Sequence, residues 1–339
     1  MKQYTLQEIA RLTGGTLVGK GDAIITGVSA PDNYVPGTIC PLWEKKYDKF
    51  ITAEMILFTT QGKVSANASG IEFDQNPKEQ LVTLLSLFDT SPSDTDVPSV
   101  AISPSAKISP SAKIGLGAVI KSCAVISDGA VIKEYAVIGE NVFIGKGTIV
   151  ESHSVIYHGS VIGDGCLIRP HALIGCPGFG FMPDKERGIV RVPQIGIAHL
   201  GNGVEVGAFS SVDRATFGET YIGDFTKLDS HVKIGHNCRI GSFCVFCGRA
   251  GLAGSTIVGN GVTFAAGSGA GNHVTIGDGV TVGGLSGVAS NIPAGAMVSG
   301  FPAQDHRQEL RYQASLRRVP DLIKQVKELQ AVLKKITEA

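Results

Sequence analysis

Aliphatic residues recur at every sixth position through most of this chain. The run opens Ile102, Ile108, Ile114, Ile120, Ile126, Ile132, Ile138, Ile144, Val150, Ile156, Ile162, Ile168 and Ile174. It returns at Leu200, Val206 and Val212, then continues Ile222, Leu228, Ile234, Ile240, Phe246, Leu252, Val258, Phe264, Ala270, Ile276, Val282 and Val288. That spacing predicts a parallel β-helix of short strands, each aliphatic side chain stacked inside on its equivalents in adjacent coils. Gly often follows the aliphatic residue and is expected at turns that need positive φ. A small residue holds the fifth position of the hexad and suits a tight corner.

Two excursions leave the frame. Between Ile174 and Leu200 lies GCPGFGFMPDKERGIVRVPQIG, and between Val212 and Ile222 four extra residues enter. Long departures from a rigid scaffold usually carry function or an interface. Phe179 and Phe181, set among glycines, suit either covering a substrate or an oligomer contact.

Before the repeat, the pattern changes. Thr5 and Glu8 form a capping box ahead of helical spacing, and Gly14-Gly15 ends it. Segments 23–28 and 55–59 read as strands. Asn76, Pro77 and Glu79 open a second helix running to about Phe88. A small α/β domain over 1–99, ending in the linker DTSPSDTDVPS, therefore precedes a β-helix over 100–302. Within it PLWEKKY reads as a surface loop, where Trp43 is either core or, with Tyr47, a stacking platform for a planar base. After 303 two helices are expected, split at Pro320. Leu322, Val326, Leu329, Leu333 and Ile336 form a seam suited to self-association. Arg307, Arg311, Arg317 and Arg318 make a basic patch that either receives an acidic partner or is a solvated face.

Composition agrees with a repeat: 44 Gly in 339 residues, 6% aromatic and 18% charged. Lys plus Arg equals Asp plus Glu at 30 each, so no global basic field points to nucleic acid. No apolar run is long enough for a transmembrane segment. Seven irregularly spaced cysteines suggest reduced thiols and a cytoplasmic protein.

The titratable residues gather in LDSHVKIGHNCRIG, which holds Asp229, His231 and His236. His236 and His273 lie 37 residues apart, two coils plus one residue, and so share one edge of the prism. At about 4.8 Å per coil they sit roughly 10 Å apart along the axis. Asp229 precedes His236 by about one face, so their pairing would need a neighbouring subunit. His153 and His171 should stack along a corner. Cys238, Cys244 and Cys247 raise the question of zinc, but their hexad positions differ. A zinc hydrase would use His231, His236 and a third histidine, and His199 falls at the wrong hexad position. No metal is therefore expected.

The stretches GFGF, VPQIG, GVEVGAFSSVDR, LDSHVKIGHN, LAGS and GFPA resemble the UDP-3-O-acylglucosamine N-acyltransferases of lipid A biosynthesis, left-handed β-helix enzymes that assemble as homotrimers. The resemblance implies transfer of a 3-hydroxyacyl group to the 2-amino group of UDP-3-O-acylglucosamine. The donor would be acyl carrier protein, through its phosphopantetheine, with no other cofactor. It makes His236 the general base, Asp229 its orienting partner and His273 a substrate contact. Gly254 is a candidate oxyanion donor, and a groove at Gly283, Gly284, Ser286 and Gly287 is a candidate acyl path. The N-terminal loop departs from the family: Tyr47 is kept, but Pro41 and Glu44 stand where Phe and Asn are usual, and Trp43 would take over the stacking. Other hexapeptide-repeat acyltransferases (sugar-nucleotide O-acyl or N-acetyl transfer) and a non-catalytic scaffold remain competing readings.

Overall fold

The computed structural model describes residues 2–65, 68–92, 98–184, 187–300 and 306–337. Its dominant element is the expected left-handed parallel β-helix, of about 14 turns. Each hexad contributes one short strand, typically two residues long, such as Val119–Ile120 or Lys233–Ile234. The strands stack into three parallel faces of nine, nine and ten. Face one runs from Val119–Ile120 to Gly287–Val288, face two from Lys107–Ile108 to Thr275–Ile276, and face three from Lys113–Ile114 to Met297–Val298.

The aliphatic frame is the core. On face one Ile120, Ile138, Ile156, Ile174, Val212, Ile234 and Leu252 pair in register, straight across both excursions. From Ile120 to Ile240 the frame residues are at most 1% exposed. Burying each such side chain contributes about 1.5–3 kcal/mol, repeated coil after coil. The frame frays at the start: Ile102 is 44% exposed.

The glycine expectation is corrected. Apart from Gly175 at φ 80°, the glycines that directly follow the aliphatic residue do not have positive φ; most sit where the next coil leaves no room. A Cβ on Gly235 would meet Gly254 N at 2.8 Å, and one on Gly207 would meet the Asp229 carbonyl carbon at 2.3 Å. Positive φ falls two residues later, and many of those residues are not glycine: His153, His171, His231, Asn237 and His273 all lie between 58° and 61°.

Met1–Ser299 form one compact unit and Gly300–Ala339 a second. The start of the first unit is a five-stranded sheet ordered Thr16–Val18, Gly70–Phe73, Ile56–Thr60, Thr38–Leu42, Gly27–Val28. Helix α1 (Leu6–Thr13) carries the predicted capping box, closed by Gly14 at φ 71°. Helix α2 (Leu81–Phe88) is preceded by a 3-10 turn, Pro77–Gln80, which Asn76 caps. PLWEKKY is not simply a surface loop. Pro41 and Leu42 end a buried strand, and Lys45–Phe50 form a 3-10 helix. The excursion after Ile174 holds an antiparallel hairpin, Phe181–Asp184 with Gly188–Arg191. Val192, just beyond it, is buried in the same core as Leu6, Ile9, Phe58 and Leu84, so this excursion ties the coil to the N-terminal sheet.

In the second unit α3 (His306–Leu316) and α4 (Val319–Thr337) are separated at Arg317 and Arg318. Pro320 therefore does not split them; it lies in the first turn of α4, where its missing N–H costs nothing. The expected boundary at 302–303 lies outside the described residues.

Candidate active site

At the corner between faces one and two, equivalent residues of successive coils lie over one another. The second residue after the buried aliphatic is His158, Arg214, His236 or Gly254; the third is Asn237, Ser255 or His273. Here a cleft of about 320 Å³ opens between the coil and the N-terminal sheet. His236 and His273 line it from the coil; Trp43 and Tyr47 line it from the N-terminal side. Four residues singled out from sequence thus share one cavity.

The geometry fixes the tautomer of His236. The Asn237 side-chain oxygen accepts from the Thr216 backbone N–H at 3.0 Å, and its amide nitrogen donates to the Phe217 carbonyl at 3.1 Å. Those two backbone partners settle which end of the amide is which. His236 Nδ1 lies 3.0 Å from the same Asn237 oxygen, so Nδ1 carries the hydrogen and donates. Nε2 is left with its lone pair, as a proton acceptor must be. Asn237 does this at φ 59°, a left-handed conformation that asparagine tolerates better than most residues.

The excursions close around this imidazole. A Cβ on Gly178 would fall 2.8 Å from His236 Cβ, so the chain passes directly against the histidine. Gln194, 5% exposed, accepts from the Thr216 hydroxyl, which in turn lies 3.5 Å from His236 Nδ1. On the other side a Cβ on Gly254 would lie 2.8 Å from His236 Nε2. The Gly254 N–H has no acceptor among the described residues, whereas its carbonyl accepts from His273 N.

Other expected residues fall elsewhere. Asp229 is at the corner between faces three and one and does not line the cleft; its carboxylate accepts from Ser230 N. Phe179 is 85% exposed and packs edge-on against Phe181, over which Arg191 sits; neither phenylalanine lines the cleft. His231 ends a ladder of parallel rings on the Asp229 corner: Tyr135, His153, His171, Phe209, His231, with centroids 4.9–5.4 Å apart. His153 and His171 stack as expected. Arg307 and Arg311 lie on α3, with Arg317 and Arg318 at its end, all exposed in the second unit.

Cys238 and His199 find partners within the coil. Burial pushes the Cys238 thiol up to about 12, and its Sγ donates to the Ala253 carbonyl. His199 pairs with Glu219 at 2.9 Å. Among the described residues no group of three His, Cys, Asp or Glu is placed to hold a metal ion.

Residues 135–176 match the family described as bacterial transferase hexapeptide (six repeats). Over about half its length the chain is similar to UDP-3-O-acylglucosamine N-acyltransferases. The protein of that name from Chlorobium chlorochromatii is 48% identical over 169 residues, 50% of this chain and 47% of the relative. Its namesake from Anaeromyxobacter sp. is 56% identical over 161 residues, 46% of each chain. The chain spans about half the length of the curated relatives it matches. Among solved structures, UDP-N-acetylglucosamine O-acyltransferase from Moraxella catarrhalis RH4 is 27% identical, covering 63% of this chain and 78% of that one, with a TM-score of 0.46.

Sequence reasoning missed Thr216, Gln194 and Arg239 and did not assign Asn237 a task. The four extra residues after Val212 were the available signal, since they carry Thr216, Phe217 and Gly218 into the cleft.

Proposed function

We propose that the protein is an acyl-carrier-protein-dependent N-acyltransferase, placing a 3-hydroxyacyl chain on the 2-amino group of UDP-3-O-acylglucosamine in lipid A biosynthesis. The observation that carries this reading is His236, with Nδ1–H held by Asn237, lining a cleft that Trp43 and Tyr47 also line. Similarity to transferases of that name over half the chain supports it.

The chemistry follows. Nε2 takes a proton from the sugar amine as the nitrogen attacks the thioester carbonyl carbon. The tetrahedral oxyanion meets a preorganised backbone donor, for which the Gly254 N–H is suited by its position beside His236. Collapse breaks the C–S bond, and the proton held on His236 passes to the leaving phosphopantetheine thiolate. The products are an amide and a free thiol, so the reaction balances without a metal or redox cofactor. Trp43 and Tyr47 stack on the uracil, and His273 contacts the nucleotide sugar. Arg307, Arg311, Arg317 and Arg318 receive the acidic carrier protein. The working form is a cytoplasmic homotrimer. Among the described residues no helix is long and apolar enough to cross a membrane.

The test is turnover of acyl carrier protein thioester with UDP-3-O-acylglucosamine by wild type and His236→Ala. Loss of about 10²–10⁴-fold in kcat with unchanged oligomeric mass is expected for removing a general base. Near-normal turnover by the variant would remove His236 from that role.

A further inference from the structure

We infer that Arg239, together with Lys78 across the cleft, is the anion anchor that grips the phosphates of the nucleotide. This rests on the nucleotide-sugar reading above and adds to it the side chains that hold the charge. Arg239 lies on face two in register with Tyr221 and Ile257, three residues beyond His236. It is half-buried and lines the same cleft as His236, Trp43 and Tyr47.

What singles it out is its lack of a partner. Arg169 bridges Glu205, Arg187 bridges Asp184, and Arg214 donates to the Gly196 and His158 carbonyls. The Arg239 backbone N–H donates to the Thr256 carbonyl, but its guanidinium has no hydrogen bond or ion pair among the described residues. Glu219, on the adjacent strand, also lines the cleft; it lies 2.9 Å from His199 and forms no ion pair with Arg239. Asp32 and Glu44 belong to the N-terminal wall. A guanidinium partly withdrawn from water and left unpaired is costly, and an anion with two oxygens in its plane relieves that cost. Phosphate fits this fork better than any uncharged ligand. Lys78 lines the cleft from the 3-10 turn Pro77–Gln80 and also lacks an ion pair among the described residues. The nucleotide is thereby divided: its base on Trp43 and Tyr47, its phosphates between Arg239 and Lys78, and its sugar towards His236.

Trp43 is the single tryptophan of the chain and sits in the cleft, so its fluorescence reports occupancy directly. The full-length protein is titrated with UDP and, separately, with uridine. Arg239→Gln should weaken UDP at least tenfold while leaving uridine unchanged, and Arg239→Lys should fall between. Lys78→Gln should act in the same direction more weakly. In turnover, Arg239→Gln should raise KM for the sugar nucleotide with kcat retained, because the group acts on binding rather than on the reacting atoms. Wild-type UDP affinity in Arg239→Gln overturns the proposal. Equal loss of UDP and uridine, with a lowered melting temperature, also overturns it by showing a structural role. If wild type turns over and the variant keeps its KM, only the anchor falls. If wild type neither turns over nor binds UDP, the nucleotide-sugar reading falls with it.

Discussion

At the scale of single residues, the site depends on one amide. Asn237 uses both ends of its side chain on the backbone of the 216–217 segment, and only then presents an oxygen to His236 Nδ1. Asn237→Ala leaves that N–H without its acceptor and puts at φ 59° a residue lacking the polar side chain that makes this conformation tolerable. We expect kcat to fall by about 10–100-fold with KM little changed. Asn237→Asp, which keeps the acceptor and tolerates the same backbone, should recover part of the loss; equal damage in both variants would deny Asn237 a positioning role. A second residue-scale effect lies at the same corner, three coils below His236. Burial first, and the neighbouring Arg214 guanidinium second, hold the His158 imidazole down to about 4. In the unfolded chain that ring titrates near 6.5. Between about 6.5 and 4 the unfolded state binds a proton that the folded state refuses, so stability falls as pH drops through this window. His158 is only partly buried, and solvent screening reduces the loss to about 1–2 kcal/mol. Urea midpoints measured from pH 7 to 4.5 should decline in wild type. His158→Gln, which keeps an acceptor for Arg214, should flatten the decline; an unchanged slope would point to other groups.

At the scale of elements, the β-helix and its glycines answer to different physics from the site. The excursion after Ile174 presses Gly178 against His236 and anchors Val192 in the N-terminal core. Gly178→Ala would place its Cβ 2.8 Å from His236 Cβ, on a histidine carried by the rigid coil. The histidine must shift, so we expect a loss of about tenfold or more in kcat for a displacement of a few tenths of an ångström to 1 Å. The melting temperature should change little, because the coil frame is untouched. A stability loss with full kcat would mean that the excursion moves instead of His236. The coil itself was legible from sequence because one position in six is buried without exception from Ile120 to Ile240, and burial writes an aliphatic residue there. The glycine turns were misplaced because the same residue answers two demands, positive φ and close stacking, and sequence does not say which. Asn237 and Gln194 were missed for a related reason: their partners, Thr216 and Phe217, arrive through an insertion whose path no periodicity describes. His236 and His273 were brought together correctly because both follow the same buried position, two coils apart.

At the scale of the whole molecule, one corner of the prism carries the cleft and another carries Asp229 with the ladder from Tyr135 to His231. These rings are stacked face to face along an exposed ridge, with Tyr135 and Phe209 more than half exposed. Within one chain the two corners do not meet, and His236 Nδ1 is already held by Asn237. Any contribution of Asp229 to the reaction must therefore come from a second copy whose ladder corner faces the first copy's cleft, and it must act on something other than Nδ1. This predicts complementation. Asp229→Asn and His236→Ala, each inactive alone, should regain turnover when co-expressed, because mixed assemblies contain junctions with an intact histidine on one side and an intact aspartate on the other. The double variant Asp229→Asn/His236→Ala, mixed with either single variant, should regain nothing, since no junction then unites both residues. Full activity of Asp229→Asn by itself would exclude the aspartate from the chemistry. Inactive mixtures of the two single variants, in assemblies shown by mass to contain both chains, would place its effect within one copy, through the coil that carries His231.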